Sequence, residues 1–122
     1  MIKTKSIRDP ADATDGRRIL VMGLWPRGCS KEQLKLAAPN GWRRNLAPSR
    51  ELRQDWYGKK IQWSQYVTRY VKEMESQRTA IAELAELAKT EPITLLCIED
   101  EDSPHCHRHL LKNLIEQAMQ DQ

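Results

Sequence analysis

Cys97, Glu99, Cys106, His107 and Arg108 bring two thiols, a carboxylate, an imidazole and a guanidinium into one short stretch of the chain. Either cysteine can serve as a nucleophile or redox group, Glu99 or His107 can carry a proton, and Arg108 can anchor an anion. If Ser103 caps the next helix, Cys106 is its third residue, where unpaired backbone N–H groups and the positive end of the helix dipole favour thiolate over thiol. The acidic run at residues 99–102 opposes that shift. The structural alternative makes Cys97 a small core filler at a strand end, Cys106 a buried helix residue, and Arg108 the partner of Glu99 or Asp100.

His105 and His109 add two imidazoles four residues apart on one helical face, a metal-like spacing that is also an ordinary exposed one. The separation of Cys97 from Cys106 is not that of a zinc knuckle, so no residue is assigned to a metal, and a metal or redox sensor stands as a third reading. A second feature, Trp25-Pro26-Arg27-Gly28, is a rigid loop directly after an apolar strand. Its arginine suits a phosphate and its tryptophan a stacked base. Equally, Trp25 caps the core and Arg27 pairs with a carboxylate. Trp42, Trp56 and Trp63 have apolar neighbours and read as core, while Arg43, Arg44, Arg50, Arg53, Lys59 and Lys60 read as a solvated basic face.

These residues need a scaffold, and the hydrophobic pattern supplies one. Residues 2–7 alternate apolar and basic as a half-buried strand does, residues 19–22 form a branched apolar run too short for a helix, and residues 93–98 are apolar on both faces. Ser30 opens a helix over 31–37, Pro48-Ser49 opens another through about Trp56, and Gly58 closes it. Trp63, Tyr66, Val67, Tyr70, Val71 and Met74 recur at three- and four-residue steps, and the period resumes from Ile81 to Ala88 after a phase change near Ser76-Gln77. Pro92 ends this stretch, an acidic loop follows the third strand, and Ser103-Pro104 begins a last helix. The pattern predicts one α/β domain over residues 1–122, a small mostly parallel sheet covered by helices on both faces. Ligands in such sheets bind beyond the carboxyl ends of the strands.

The 122 residues are 39% hydrophobic and 30% charged, too apolar for disorder and too polar for a membrane protein. No secretory signal or spanning segment is evident, and a cytoplasmic location is expected. Cys29, Cys97 and Cys106 read as free thiols. Residues 1–60 carry 14 Lys or Arg against 6 Asp or Glu, or +8, and residues 61–122 carry 6 against 11, or −5. That asymmetry suggests a basic face toward phosphates or nucleic acid, or merely a dipolar surface. No phosphate loop, nucleophile elbow, HExxH pair or dinucleotide fingerprint occurs, so the cofactor is left unassigned.

Leu24-Trp25-Pro26-Arg27-Gly28, Leu46-Ala47-Pro48-Ser49 followed by Glu51-Leu52-Arg53, the spaced Trp63, Tyr66 and Tyr70, and Thr94-Leu95-Leu96 resemble the domain-of-unknown-function family 488, especially its YeaO-like branch. The branch usually reads Val-Asp-Arg-Leu before the tryptophan, whereas Val21 and Leu24 here flank Met22-Gly23. Cys97, Glu99 and Cys106-His107-Arg108 are similar to the wider family's pattern, a strand ending in cysteine, a glutamate two residues on, and a Cys-His-Arg run at the next helix. The resemblance implies an α/β fold and a shared site, with no reaction attached.

Two function classes follow. The first is a small enzyme-like domain with Cys97, Glu99, Cys106 and His107 as reactive groups and Trp25, Arg27, Gly28 and Arg108 holding an anionic ligand, a phosphorylated metabolite, nucleotide or nucleic-acid end. The second is a non-catalytic nucleic-acid-binding module built on the basic half and the tryptophans.

Overall fold

The computed structural model describes residues 1–99 and 103–121. Three strands, β1 (Ile2–Ser6), β2 (Arg17–Leu20) and β3 (Ile93–Cys97), form a parallel sheet in the order β1-β3-β2. The middle strand is the most apolar, and all five of its residues are buried, as a strand covered on both faces must be. Its register runs from Ile2 opposite Ile93 to Ser6 opposite Cys97 on one side, and from Arg17 opposite Ile93 to Leu20 opposite Leu96 on the other. Backbone bonds from Ile7 to the Cys97 carbonyl, 2.9 Å, and from Val21 to the Leu96 carbonyl, 3.0 Å, carry the pairing to the carboxyl edge.

Among the described residues five helices surround the sheet: α1 (Lys31–Leu34), α2 (Arg50–Tyr57), α3 (Trp63–Met74), α4 (Arg78–Thr90) and α5 (His107–Gln120). A 3-10 turn, Glu75–Gln77, separates α3 from α4 at the phase change in the apolar stripe. Ile19, Val21, Ile93 and Leu95 project into the larger core, which Tyr70 and Met74 of α3, Leu84 of α4 and Leu111 and Ile115 of α5 complete. The other face is thinner. Leu20 and Leu96 meet Leu34 of α1, with Trp25, Leu36 and Trp42 packed around them.

Under that thin face lies a polar group. The buried Asp15 carboxylate receives Lys3 and Lys5 at 3.0 Å and Arg18 at 2.5 Å, while Thr94 Oγ1 donates to the Asp15 carbonyl at 2.7 Å. Burial alone would raise the Asp15 pKa, but the hydrogen bonds from Lys5, Lys3, the Asp12 backbone and Arg18 outweigh it and hold the carboxyl well below its ordinary range.

Several boundaries differ from the sequence expectation, β2 ending at Leu20 rather than Met22 among them. The second strand begins at Arg17 rather than at position 19, because Arg17 pairs with Glu91 and Arg18 with Asp15, which neutralises charges that would otherwise keep these positions out of a sheet. α1 ends at Leu34, where Lys35 adopts a left-handed conformation at φ 49°. α5 begins at His107, so Cys106 is its cap and Ser103 and Pro104 lie outside the helix. The expected acidic loop falls partly outside the described residues, at Asp100, Glu101 and Asp102.

Candidate functional site

β3 delivers Cys97 to the carboxyl edge of the sheet as its last residue. Residues 103–106 approach it without helical structure, and Cys106 keeps extended dihedrals, φ −139° and ψ 140°. Tertiary contacts explain why the Ser-Pro start signal loses here. His105 stacks on Trp63 with centroids 4.6 Å apart, and the His109 Nε2–H donates to the Ser103 carbonyl at 3.0 Å. The Cys97 and Cys106 sulfurs and one ring nitrogen of His107 consequently lie within 4.8 Å of one another, all three residues buried.

The neighbours of His107 define its tautomer. Its Nε2 is 2.6 Å from the Val21 carbonyl, which can only accept, so Nε2 carries the proton. In the neutral ring Nδ1 then offers a lone pair, and it sits 4.0 Å from the Cys106 sulfur. Burial pulls the His107 pKa down to about 4, so the ring is neutral near pH 7. The two buried thiols shift each other's proton affinity in opposite directions. The Cys106 thiol donates to Cys97, and backbone N–H groups of Glu99 and Ile98 with the Arg108 charge add to the effect, so Cys97 lies below the usual thiol value despite burial. Cys106, which gives that hydrogen bond and is itself desolvated, is pushed far up.

These groups border a cleft of about 150 Å³. Met22, Gly23 and Leu24, directly after β2, form one wall, and Pro48, Arg53, Trp56 and Tyr57 of the α2 region form another. Ser49 fixes α2 in place: its Oγ accepts from the Leu52 N–H at 3.1 Å and donates to Glu73 of α3 at 2.5 Å. Arg53, Trp56 and Tyr57 then share one face of α2. Tyr57 donates to Glu99 Oε1 at 3.0 Å, joining this face to the loop after β3 at the rim. The Arg53 guanidinium lies over Gly23, its central carbon 3.6 Å from where a Cβ would stand, and its buried Nε has no hydrogen-bond acceptor among the described residues.

The structure thus brings together Cys97, Glu99, Cys106 and His107 from the sequence-derived set, and places the others differently. Arg108 is fully buried, and its Nη1 donates to the backbone carbonyls of Glu99 at 2.7 Å, Lys5 at 3.2 Å and Cys97 at 3.4 Å, tying the ends of β1 and β3 together behind the cleft. Trp25, Arg27 and Gly28 do not line the cleft. Trp25 packs edge-on against Trp42 at 5.3 Å and donates to the Cys29 carbonyl, Arg27 is exposed, and Gly28 supports the turn at φ 78°. Sequence reasoning missed Arg53, Trp56 and Tyr57 as a group, although a three- and four-residue step joining an arginine to two aromatic residues was the available signal.

The profile described as the active DUF488-N3 subclade matches residues 2–119. The uncharacterised protein YeaO of Escherichia coli strain K12 is 38% identical over 95 residues, 78% of this chain and 80% of that protein. The uncharacterised protein Rv3073c of Mycobacterium tuberculosis strain H37Rv is 28% identical over 93 residues, 76% of this chain and 75% of its own length. No solved structure matches the chain. Among the described residues no helix is long and apolar enough to cross a membrane.

Proposed function

Because the chain belongs to the DUF488 family, within its N3 subclade, we propose that it is a small thiol enzyme that takes an anionic group into the cleft and transfers or hydrolyses it on Cys97. The observation that carries this reading is the meeting of Cys97, Cys106, His107 and Glu99 with an arginine in one cleft beyond the carboxyl ends of parallel strands. Arg53 holds the negative charge, since its guanidinium faces the cleft while that of Arg108 is committed to backbone carbonyls.

The Cys97 thiolate attacks the electrophilic atom of the ligand. A bond to sulfur forms, the bond to the leaving group breaks, and the leaving group departs with its electron pair and takes the proton of Cys106. Water then attacks the sulfur-bound atom, gives one proton back to Cys106 and releases Cys97 as thiolate, so the net change is hydrolysis. Size limits the ligand. An apolar cavity of ~150 Å³ holds about one benzene ring, so the cleft accommodates a phosphate-sized or carboxylate-bearing end rather than a whole nucleotide.

Alkylation of metal-free protein with iodoacetamide, mapped by mass spectrometry, tests this. Cys97 reacts before Cys106, inorganic phosphate or a simple phosphomonoester slows the reaction saturably, and Arg53→Gln removes the protection. Equal labelling of both thiols, or protection unaffected by Arg53→Gln, would defeat the reading.

A further inference from the structure

We infer that Cys97, Cys106 and His107 together form a three-donor site for a thiophilic divalent cation, with its fourth position open to the cleft. The inference rests on the same cluster as the proposed function and assigns its regulation: with a metal bound, both sulfurs become ligands and the nucleophile is silenced.

Three observations carry it. The donor set is two sulfurs and one imidazole, the soft and borderline chemistry that selects zinc-like ions over hard ones. Zn–S bonds of ~2.3 Å and Zn–N bonds of ~2.0 Å at tetrahedral angles put neighbouring donors about 3.5–3.8 Å apart. The Cys106 sulfur and His107 Nδ1 are already at 4.0 Å, and no pair in the cluster exceeds 4.8 Å, so a contraction of about 1 Å by side-chain rotation closes the site.

The imidazole is also oriented as a ligand. Ligating histidines ordinarily donate their second N–H to a carbonyl or carboxylate, which fixes the ring and directs the free lone pair at the metal. His107 makes that bond to Val21, directly after β2, leaving Nδ1 toward Cys106. The three ligands leave one tetrahedral position unfilled, as in catalytic rather than structural zinc sites. Cys97, Cys106 and His107 all line the cleft, so water or the ligand anion reaches that position, with Arg53 on the facing wall.

The test uses the full chain, reduced with a phosphine and freed of metal, with Co²⁺ as the spectroscopic probe and Zn²⁺ as competitor. One equivalent of Co²⁺ produces sulfur-to-cobalt charge-transfer absorption and the intense visible bands of a tetrahedral ion, and one equivalent of Zn²⁺ abolishes both. Cys106→Ser and His107→Gln each weaken Zn²⁺ binding by at least about 100-fold, since loss of an outer-shell partner alone brings ~10–100-fold. Cys29→Ser, outside the cluster, leaves it unchanged, and circular dichroism confirms that each variant is folded. Bound Zn²⁺ also protects Cys97 from iodoacetamide.

Absence of the charge-transfer band, or Zn²⁺ affinity unaltered in folded Cys106→Ser, overturns the inference. Selective, phosphate-sensitive alkylation of Cys97 without metal binding removes the metal site and leaves the enzyme reading. Tight Zn²⁺ binding with an unreactive Cys97 in the metal-free protein does the reverse.

Discussion

Asp15 and Cys97 are both buried chemistry-bearing residues beside the same sheet, yet their surroundings are built on opposite plans. Asp15 has Arg18, Lys3 and Lys5 on its carboxylate, a complete set of opposite charges under the thin face. Cys97 has another thiol, two backbone N–H groups and the sides of a cleft. Closed polarity of the first kind specifies how elements join; polarity with unused lone pairs on an open space is what a ligand needs. The difference separates scaffold from site without any appeal to residue type.

The comparison breaks most visibly if Asp15 proves dispensable. Asp15→Asn leaves the Arg18 charge buried without its counterion, and urea unfolding registers a loss of about 3–5 kcal/mol. Acid exposes the same group. Its folded-state pKa lies below the unfolded value near 3.9, so the stability it contributes is present above about pH 4 and is lost as pH falls toward the folded value. Thermal melts across pH 7 to 2 show this slope in the wild type and a flatter one in Asp15→Asn.

The cleft residues sharpen the other half of the contrast. Arg53→Gln weakens phosphate protection of Cys97 by about tenfold or more, equivalent to ~1.4 kcal/mol of binding, and unfolding midpoints scarcely move. Cys106→Ser alters stability by no more than about 1 kcal/mol, a typical change for one buried hydrogen bond, while removing metal binding. Smallest of all, Arg27→Ala shifts stability by under about 0.5 kcal/mol, as an exposed loop side chain does, and leaves Cys97 labelling unchanged.

Much of this architecture is written in local patterns. Residues 93–98 declare a central strand by a short apolar run broken only by Thr94, and the stripe from Trp63 to Met74 declares α3 with its break near Ser76. The start of β2 was hidden because Arg17 and Arg18 are acceptable in a sheet only with Glu91 and Asp15 beside them, and such pairing is tertiary. For the same reason Ser103-Pro104 misleads: the start signal is genuine, but the stacking of His105 on Trp63 keeps residues 103–106 out of the helix.

The candidate site was half legible. Cys97, Glu99, Cys106 and His107 follow from a strand, a loop and a helix in succession. Which arginine reaches the cleft does not, because Arg27, Arg53 and Arg108 differ only in where their backbone aims them. The exposed loop carries Arg27 away from the cleft, α5 turns Arg108 back toward three carbonyls, and the rotation of α2 fixed by Ser49 and Glu73 delivers Arg53.

The strand order β1-β3-β2 also bears on how the protein is made. β1 and β2 bond to β3 and not to each other, so a ribosome that has released residues 1–92 has produced two edges of a sheet with no middle. Assembly of the sheet waits for residues 93–97, and nascent chains hold their apolar faces unshielded until then. Early-terminated products have no partial sheet to fall back on, which makes them natural clients for chaperones and proteases.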